Sequence, residues 1–397
     1  MSNFTSIESS VILQSFTWNS WRTQNKQFFN YLKSKSSEIK DIGIDSVWLP
    51  PCSKSVSPQG YMPLNLYDLN SEYGTETELK KCVKSFRDKD MGVYADIVIN
   101  HRCAEFQNKD GIYNLFGGKL PWDETAIVSN NTHFGGKGNH SEYKIFEGAP
   151  NIDHSQQFVR EDLIRWMQWL KNDIGFNGFR FDFMTGIDPQ HMKEYFKNID
   201  VDMCIGEYWD NMDYDIEYLK YNQNAHRQRI VDWMDNSGKH AYAFDMTTKG
   251  ILQEALKNKE YWRLADESNN PSGLIGWWKE KSVTFLDNHD THHLSQNLWS
   301  FPQKHIVEGY AYILTHPGVP MIYWDDLNLA GLKEIIVLLI KIRKDLKITA
   351  NSTIDIVCAN DKQYIAIIDK NAKVTIGIYN DTSNFLFKSH NVLIEEV

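Results

Sequence analysis

Four short segments carry residues whose types can do chemistry. "DIVINH" offers Asp96, Asn100 and His101, and "GFRFDF" offers Arg180 and Asp182. "IGEYWD" offers Glu207 and Trp209, and "FLDNHD" offers Asp287, Asn288, His289 and Asp290. The second segment is the most informative. Phe179, Phe181 and Phe183 alternate as in a buried strand, yet Arg180 and Asp182 stand between them. Burying a charge is costly unless it is paired. A period of two places Arg180 and Asp182 on one face. An arginine there favours the ionised carboxylate, and an ionised carboxylate held in place is a nucleophile toward an acetal carbon. Glu207 has apolar and aromatic neighbours; partial burial raises a glutamate's pKa and suits it to donate a proton. Two carboxylates with pKa values driven apart mark glycoside hydrolysis.

Each residue alone has an ordinary structural reading. Arg180 and Asp182 can be a barrel ion pair, and Glu207 a structural acid. His101 can be a satisfied core histidine or a metal ligand, and Asp290 a helix N-cap. Against these stands their placement. The carboxylates, histidines and arginine collect at the ends of four separate strand-like runs, where random surface charge would not gather.

The elements that must position them follow a regular rhythm. Eight runs read as strands: 11–16, 46–50, 92–100, 178–183, 203–209, 241–246, 283–288 and 320–324. Helical patterns lie between several of them. In 155–171, Val159, Leu163, Trp166 and Leu170 recur on one helix face, with Ser155 as the expected N-cap. Alternation of this kind predicts a (β/α)8 TIM barrel, whose catalytic groups sit at the C-terminal strand ends. Residues 101–154 break the rhythm and are too long for a simple loop, so an inserted domain is expected after the third strand. After residue 350, closely spaced short strands predict a C-terminal antiparallel β-domain. The expected division is 1–100 for the first part of the barrel, 101–154 for the insertion, 155–349 for the barrel remainder and 350–397 for the β-domain. The longest aliphatic run, 335–340, is far shorter than the roughly 20 apolar residues of a membrane span and reads as a buried helix.

Composition narrows the class. The chain has 397 residues, a net charge of −10, 13 Trp and 19 Tyr. Acidity argues against nucleic acid as the partner, and the aromatics serve either a large core or stacking on sugar rings. Five widely spaced cysteines without a C-x-x-C fit reduced thiols. The N-terminal "MSNFTSIESSVILQSF" lacks a basic leader and a long apolar core. A cytoplasmic location is therefore expected, and the Asn-x-Ser/Thr sites at Asn3 and Asn139 carry little weight.

The four segments resemble the signature segments of the alpha-amylase family of retaining glycoside hydrolases. "SVWLPPCSKSVSPQGYMP", "NAHRQRIVDW" and "GYAYILTHPGVPMIY" are similar to plant-type members. The resemblance implies roles. Asp182 matches the nucleophile, Glu207 the general acid, and Asp290 the third carboxylate that stabilises the transition state. Arg180 matches the arginine that holds the nucleophile. His101 and His289 match histidines that hydrogen-bond the reacting sugar, and Tyr61 matches the tyrosine stacked beneath it. Trp209 is expected on the leaving-group side. The implied substrate is starch, glycogen or a maltodextrin, cut internally at alpha-1,4 bonds by a monomer with no nucleic-acid or membrane partner. The same carboxylates would serve a transglycosylase of the family, and a non-catalytic glycan-binding homologue is the reading from another class. A metal-dependent hydrolase using His101, His140 and His154 finds no support in their spacing.

The resemblance also implies a structural Ca2+ between barrel and insertion. Asn100 matches an amide ligand and Gly186 a backbone-carbonyl ligand. Asn151, in "APNIDH", stands where a carboxylate is expected, and "NHSEYKIFEG" is poor in aspartate. Fewer charged oxygens weaken calcium binding. The expectation is a calcium site weakened, lost or filled by another group, with the Lys144 ammonium as one candidate and coordination through the Asn151 amide oxygen as the alternative.

Overall fold

The computed structural model describes residues 6–238, 240–293, 299–380 and 384–397, and of residues 23 and 24 the backbone only. The eight runs form eight parallel strands: β1 (Ile12–Gln14), β2 (Ser46–Trp48), β3 (Gly92–Ile97), β4 (Gly178–Phe181), β5 (Met203–Gly206), β6 (Ala241–Phe244), β7 (Ser282–Thr284) and β8 (Val319–Tyr323). They close in sequence order, with β1 pairing both β2 and β8. The strands are buried almost throughout because helices cover the outer face. Most strands stop short of the expected ends. The chain turns over the barrel mouth there, so Asp182 and Glu207 lie one residue beyond β4 and β5.

Among the described residues, eight helices of ten residues or more surround the barrel: α1 (Phe28–Asp41), α2 (Glu76–Arg87), α3 (Gln157–Trp169), α4 (Pro189–Ile199), α5 (Asn224–Asn236), α6 (Met246–Asn258), α7 (Ile306–Thr315) and α8 (Leu332–Asp345). Thr75 and Glu78 form a reciprocal capping box at the start of α2. The expected face of α3 is buried, but Ser155 does not cap it. Its hydroxyl donates to Asp153 Oδ1 (2.5 Å), and the helix starts two residues later. A π-turn at Leu170–Ile174 extends α3 and ends at Gly175, whose φ of +100° needs glycine. The aliphatic run 335–340 lies in α8, with Ile336, Leu339 and Ile340 buried and Leu338 exposed. Among the described residues, no helix is long and apolar enough to cross a membrane.

Residues 101–154 lie between β3 and α3. They hold a small hairpin of Phe106–Gln107 with Tyr113–Leu115. Isolated bridges join His101 to Asn151 and Ile127 to Ile152, so the two ends of the stretch meet at the barrel mouth. Arg102 binds much of it together. Its buried guanidinium donates to the carbonyls of Leu120 (2.8 Å) and Gly117 (2.8 Å). It also donates to Leu64 (3.0 Å), which belongs to the loop after β2. The rings of Phe116 and Trp122 flank it at 4.9 and 5.2 Å.

The C-terminal sheet has five antiparallel strands: β9 (Ile354–Ala359), β10 (Gln363–Ile368), β11 (Ala372–Gly377), β12 (Phe387–Ser389) and β13 (Val392–Glu396), in the order β9-β10-β11-β13-β12. Of these, β10 alternates cleanly, burying Tyr364, Ala366 and Ile368. β12 has three residues, too few to show a period. His316, after α7, meets Tyr364 of β10 through Nε2 and the phenol (2.9 Å), which docks the sheet on the barrel. The five cysteines are free. Asn3 lies outside the described residues, and the Asn139 amide donates to Ser155 Oγ (2.7 Å).

Gly206 ends β5 directly before Glu207. A Cβ there would lie 2.0 Å from the Trp233 ring of α5. Replacing Gly206 by Ala is expected to lower stability by about 1–3 kcal/mol through overpacking. Urea unfolding checks this; a midpoint equal to wild type would show that Trp233 moves aside freely.

Candidate active site

Strand register brings the charged groups together. Asp96 of β3 stands opposite Arg180 of β4, and Phe181 opposite Gly206 of β5. One step further, Asp182 and Glu207 are therefore neighbours at the barrel mouth. The ladder still reaches them: Asp182 N–H donates to Ile97 O (3.0 Å) and Glu207 N–H to Phe181 O (2.9 Å).

Arg180 is fully buried and organises the cluster. Its Nη1 donates to Asp182 Oδ1 (2.7 Å) and to Asp96 Oδ1 (2.9 Å). Its Nη2 lies 2.7 Å from Glu207 Oε1, an ion pair whose angles fall short of a hydrogen bond. The guanidinium also packs over Trp48 at 5.0 Å and Tyr61 at 5.8 Å. Asp96 Oδ2 accepts from the Tyr61 hydroxyl (2.7 Å) and from Trp48 Nε1 (3.2 Å). Glu207 Oε2 accepts the Phe183 N–H (3.0 Å). Phe183 makes that contact from a left-handed backbone, φ +55°, a conformation costly for an aromatic residue and typical of functional sites.

Behind Asp290 sits His289. Its Nε2 is 3.1 Å from Asp290 Oδ2, and its Nδ1 is 2.9 Å from Gln14 Nε2. The carboxylate calls for a proton on Nε2, leaving Nδ1 to accept from Gln14. The rings of Tyr61 and His289 stack at 4.9 Å, and the Trp18 ring lies nearly parallel to both, 6.1 Å from Tyr61 and 6.2 Å from His289. His101 Nε2 meets the Tyr61 carbonyl (2.8 Å), and the His101 ring stacks on Phe146 at 4.1 Å.

A cleft of about 760 Å³ opens above this cluster. Tyr61, His101, Asp182, Glu207, Trp209 and Asp290 line it. Arg180 and His289 lie beneath the floor, where they act on the carboxylates. Trp18, Lys144, Phe146 and Phe183 also form the walls, and the sequence reading assigned no substrate contact to them. Trp18 could have been found as an aromatic just past the end of β1. Phe146 lies in an irregular stretch whose path no periodicity reveals.

Electrostatics separates the acids. Burial first, then the charges of Asp182 and Asp290, push Glu207 well above the usual glutamate range, against the pull of Arg180. Asp290 is pushed up to about 7, mainly by burial. Asp96 is pushed up to about 6 for the same reason. Burial lowers His101 and His289, so both are neutral near pH 7.

The residues matched to calcium ligands also meet, but not as a cation cage. Asn151 Oδ1 accepts from Phe146 N–H (2.8 Å) and Asn100 Nδ2 (3.3 Å). Asn151 Nδ2 donates to the carbonyls of Phe146 (2.6 Å) and Ala149 (3.1 Å). Flipping the amide would set donor against donor, so these partners fix its orientation. Asn100 Oδ1 packs against Gly186, where a Cβ would come within 2.1 Å of it. The Lys144 ammonium bonds neither amide; it lies 5.5 Å from the Phe183 ring centroid. The candidate ligands are amides and carbonyls, and the Asn151 oxygen is already engaged. They do not fit a hard cation that wants several charged oxygens. Among the described residues, no three His, Cys, Asp or Glu side chains converge on a metal position. The nitrogens of His154 meet the Tyr195 hydroxyl and Ile99 O, and His140 is exposed, so the histidine-metal alternative has no site.

Three acids around one buried arginine at the C-terminal end of a (β/α)8 barrel are consistent with a glycoside hydrolase site. Residues 30–363 match the family model described as "Alpha amylase, catalytic domain". Over 367 residues the chain is 44% identical to "Alpha-amylase 3, chloroplastic" of Arabidopsis thaliana, covering 92% of this chain and 41% of that protein. Over 370 residues it is 44% identical to "Probable alpha-amylase 2" of the same plant, covering 92% of this chain and 88% of that protein. The chain thus spans less than half the length of the first relative and most of the second. An alpha-amylase structure from Malbranchea cinnamomea shares the fold, with a TM-score of 0.68 at 17% identity over 94% of this chain and 86% of that one. The chain belongs to the alpha-amylase family.

The raised pKa of Glu207 has a kinetic consequence. A proton donor is lost as pH rises through its folded-state pKa. The alkaline limb of kcat/KM, which reports the free enzyme, is expected well above the ordinary glutamate value of about 4.3. A pH–rate profile on soluble starch tests this, and a limb falling between about pH 4 and 5 would refute the assignment.

Proposed function

We propose that this chain cuts internal alpha-1,4-glucosidic bonds of starch, glycogen or maltodextrins with retention of anomeric configuration. The observation that carries the reading is Arg180, which holds Asp182 on one terminal nitrogen and Glu207 on the other. Two carboxylates held by one guanidinium suit the roles of nucleophile and acid, which a retaining mechanism needs about 5–5.5 Å apart. The names of the plant relatives support the glucan.

The proposed reaction runs in two steps. Asp182 attacks the anomeric carbon while Glu207 gives its proton to the departing glycosidic oxygen. The glycosyl group is then an ester of Asp182. Glu207, now ionised, takes a proton from water, and the hydroxide attacks the same carbon and frees Asp182. One water is consumed and Glu207 regains its proton. Asp290, backed by His289, places negative charge beside the oxocarbenium-like transition state. Tyr61 gives the sugar a flat platform, and Trp209 lies along the leaving-group side. All these residues come from one chain, so a monomer suffices.

Glu207→Gln keeps the shape and removes the acid. Its turnover of maltoheptaose is expected to fall by roughly 10²–10⁴-fold. Wild type should release alpha-anomeric oligosaccharides first, seen by NMR before mutarotation. Beta-anomeric product would sink the retaining mechanism, and products longer than maltoheptaose would show transfer in place of hydrolysis.

A further inference from the structure

Family likeness calls for calcium where the insertion meets the barrel, yet the side chains there satisfy one another. Asn151 uses its full amide capacity: two hydrogen bonds accepted and two donated. Its own N–H donates to Asn131 Oδ1 (3.0 Å), and its backbone bridges to His101. It is almost fully buried, at 3% exposure. Three of the side-chain bonds go to the 146–149 backbone and one to Asn100, which follows β3. One amide therefore joins the loop and the barrel end, the two bodies a cation would join.

An aspartate could not do this. Ionised, it would face the carbonyls of Phe146 and Ala149 with a second acceptor, a repulsion that a cation between them would relieve. With asparagine, those carbonyls meet N–H groups directly. The nearest carboxylate along the chain, Asp153, is engaged elsewhere, accepting from Asn139 N–H (2.6 Å) and Gln156 Nε2 (3.0 Å) through Oδ2. Oδ1 of Asp153 accepts from Ser155 N–H (3.0 Å) and its hydroxyl. The linkage reaches the cleft. Phe146, gripped at both its N–H and its carbonyl, stacks on His101 and meets Phe183 edge to face at 5.9 Å.

We propose that the Asn151 amide takes the place of the calcium ion, closing the insertion onto the barrel and seating Phe146 against His101, so that the folded enzyme needs no divalent cation. The statement concerns the scaffold, and thermal unfolding tests it without reference to substrate. A failure here is therefore distinct from a failure of the glucan reading.

The experiment is thermal unfolding of the wild-type chain in excess EGTA and in millimolar CaCl2, with calorimetric titration of CaCl2 alone. Equal Tm values within about 1 °C and no binding heat are expected. A Tm raised by several degrees in calcium, or a micromolar Kd, overturns the proposal. Asn151→Asp in EGTA loses two donated bonds and sets a charge against two carbonyls. Its Tm should fall by about 3 °C or more, with KM for maltoheptaose raised as Phe146 loosens. A Tm equal to wild type would show that the amide is not the link. Should Asn151→Asp fail to fold, the wild-type measurements decide alone.

Discussion

The Arg180 guanidinium has no exposure to solvent, and three carboxylates reach it. One positive charge cannot balance three negative ones in a medium that hydrates none of them well. Burial and mutual repulsion raise the pKa values of these acids. Glu207 and Asp96 rise above their ordinary ranges, and Asp290, close by, rises with them. The crowding of acids around a single cation thus raises their affinity for protons. It needs the strands in register, because a slip of one residue would turn Asp96 or Arg180 outward. Barrel closure fixes that register.

Much of this was legible in the chain. All eight barrel strands stood out as apolar runs, and the acids stood at their ends. Arg180 and Asp182 betrayed themselves by interrupting an aromatic alternation. Strand limits were less legible, because the apolar pattern continues into the first loop residues while the ladder stops. Ser155 illustrates the limit of local rules: it is a good capping residue, yet Asp153 captured its hydroxyl. Asp96 was visible as a strand-end acid, but its bonds to Arg180, Tyr61 and Trp48 depend on three other segments.

The insertion was readable only as an interruption. Its structure is set by side chains gripping backbone rather than by periodic burial, and such contacts leave no repeating trace. Asn151 could be seen to stand where a carboxylate was expected. That its amide would find Phe146 and Ala149 could not be seen, since it depends on the path of an irregular loop. The same holds for Phe146, which becomes part of the cleft wall through that path.

Arg102 has a mechanical consequence. Its three acceptors lie in two excursions of the chain, the loop after β2 and the stretch after β3, and it joins them from a buried position. Hinging one excursion away from the other would cost the buried guanidinium its bond to Leu64, although the carbonyls of Gly117 and Leu120 would move with it. The two therefore form a single jaw, with Tyr61 carried by one half and His101 by the other. The two walls of the cleft are thus tied to each other before anything enters it.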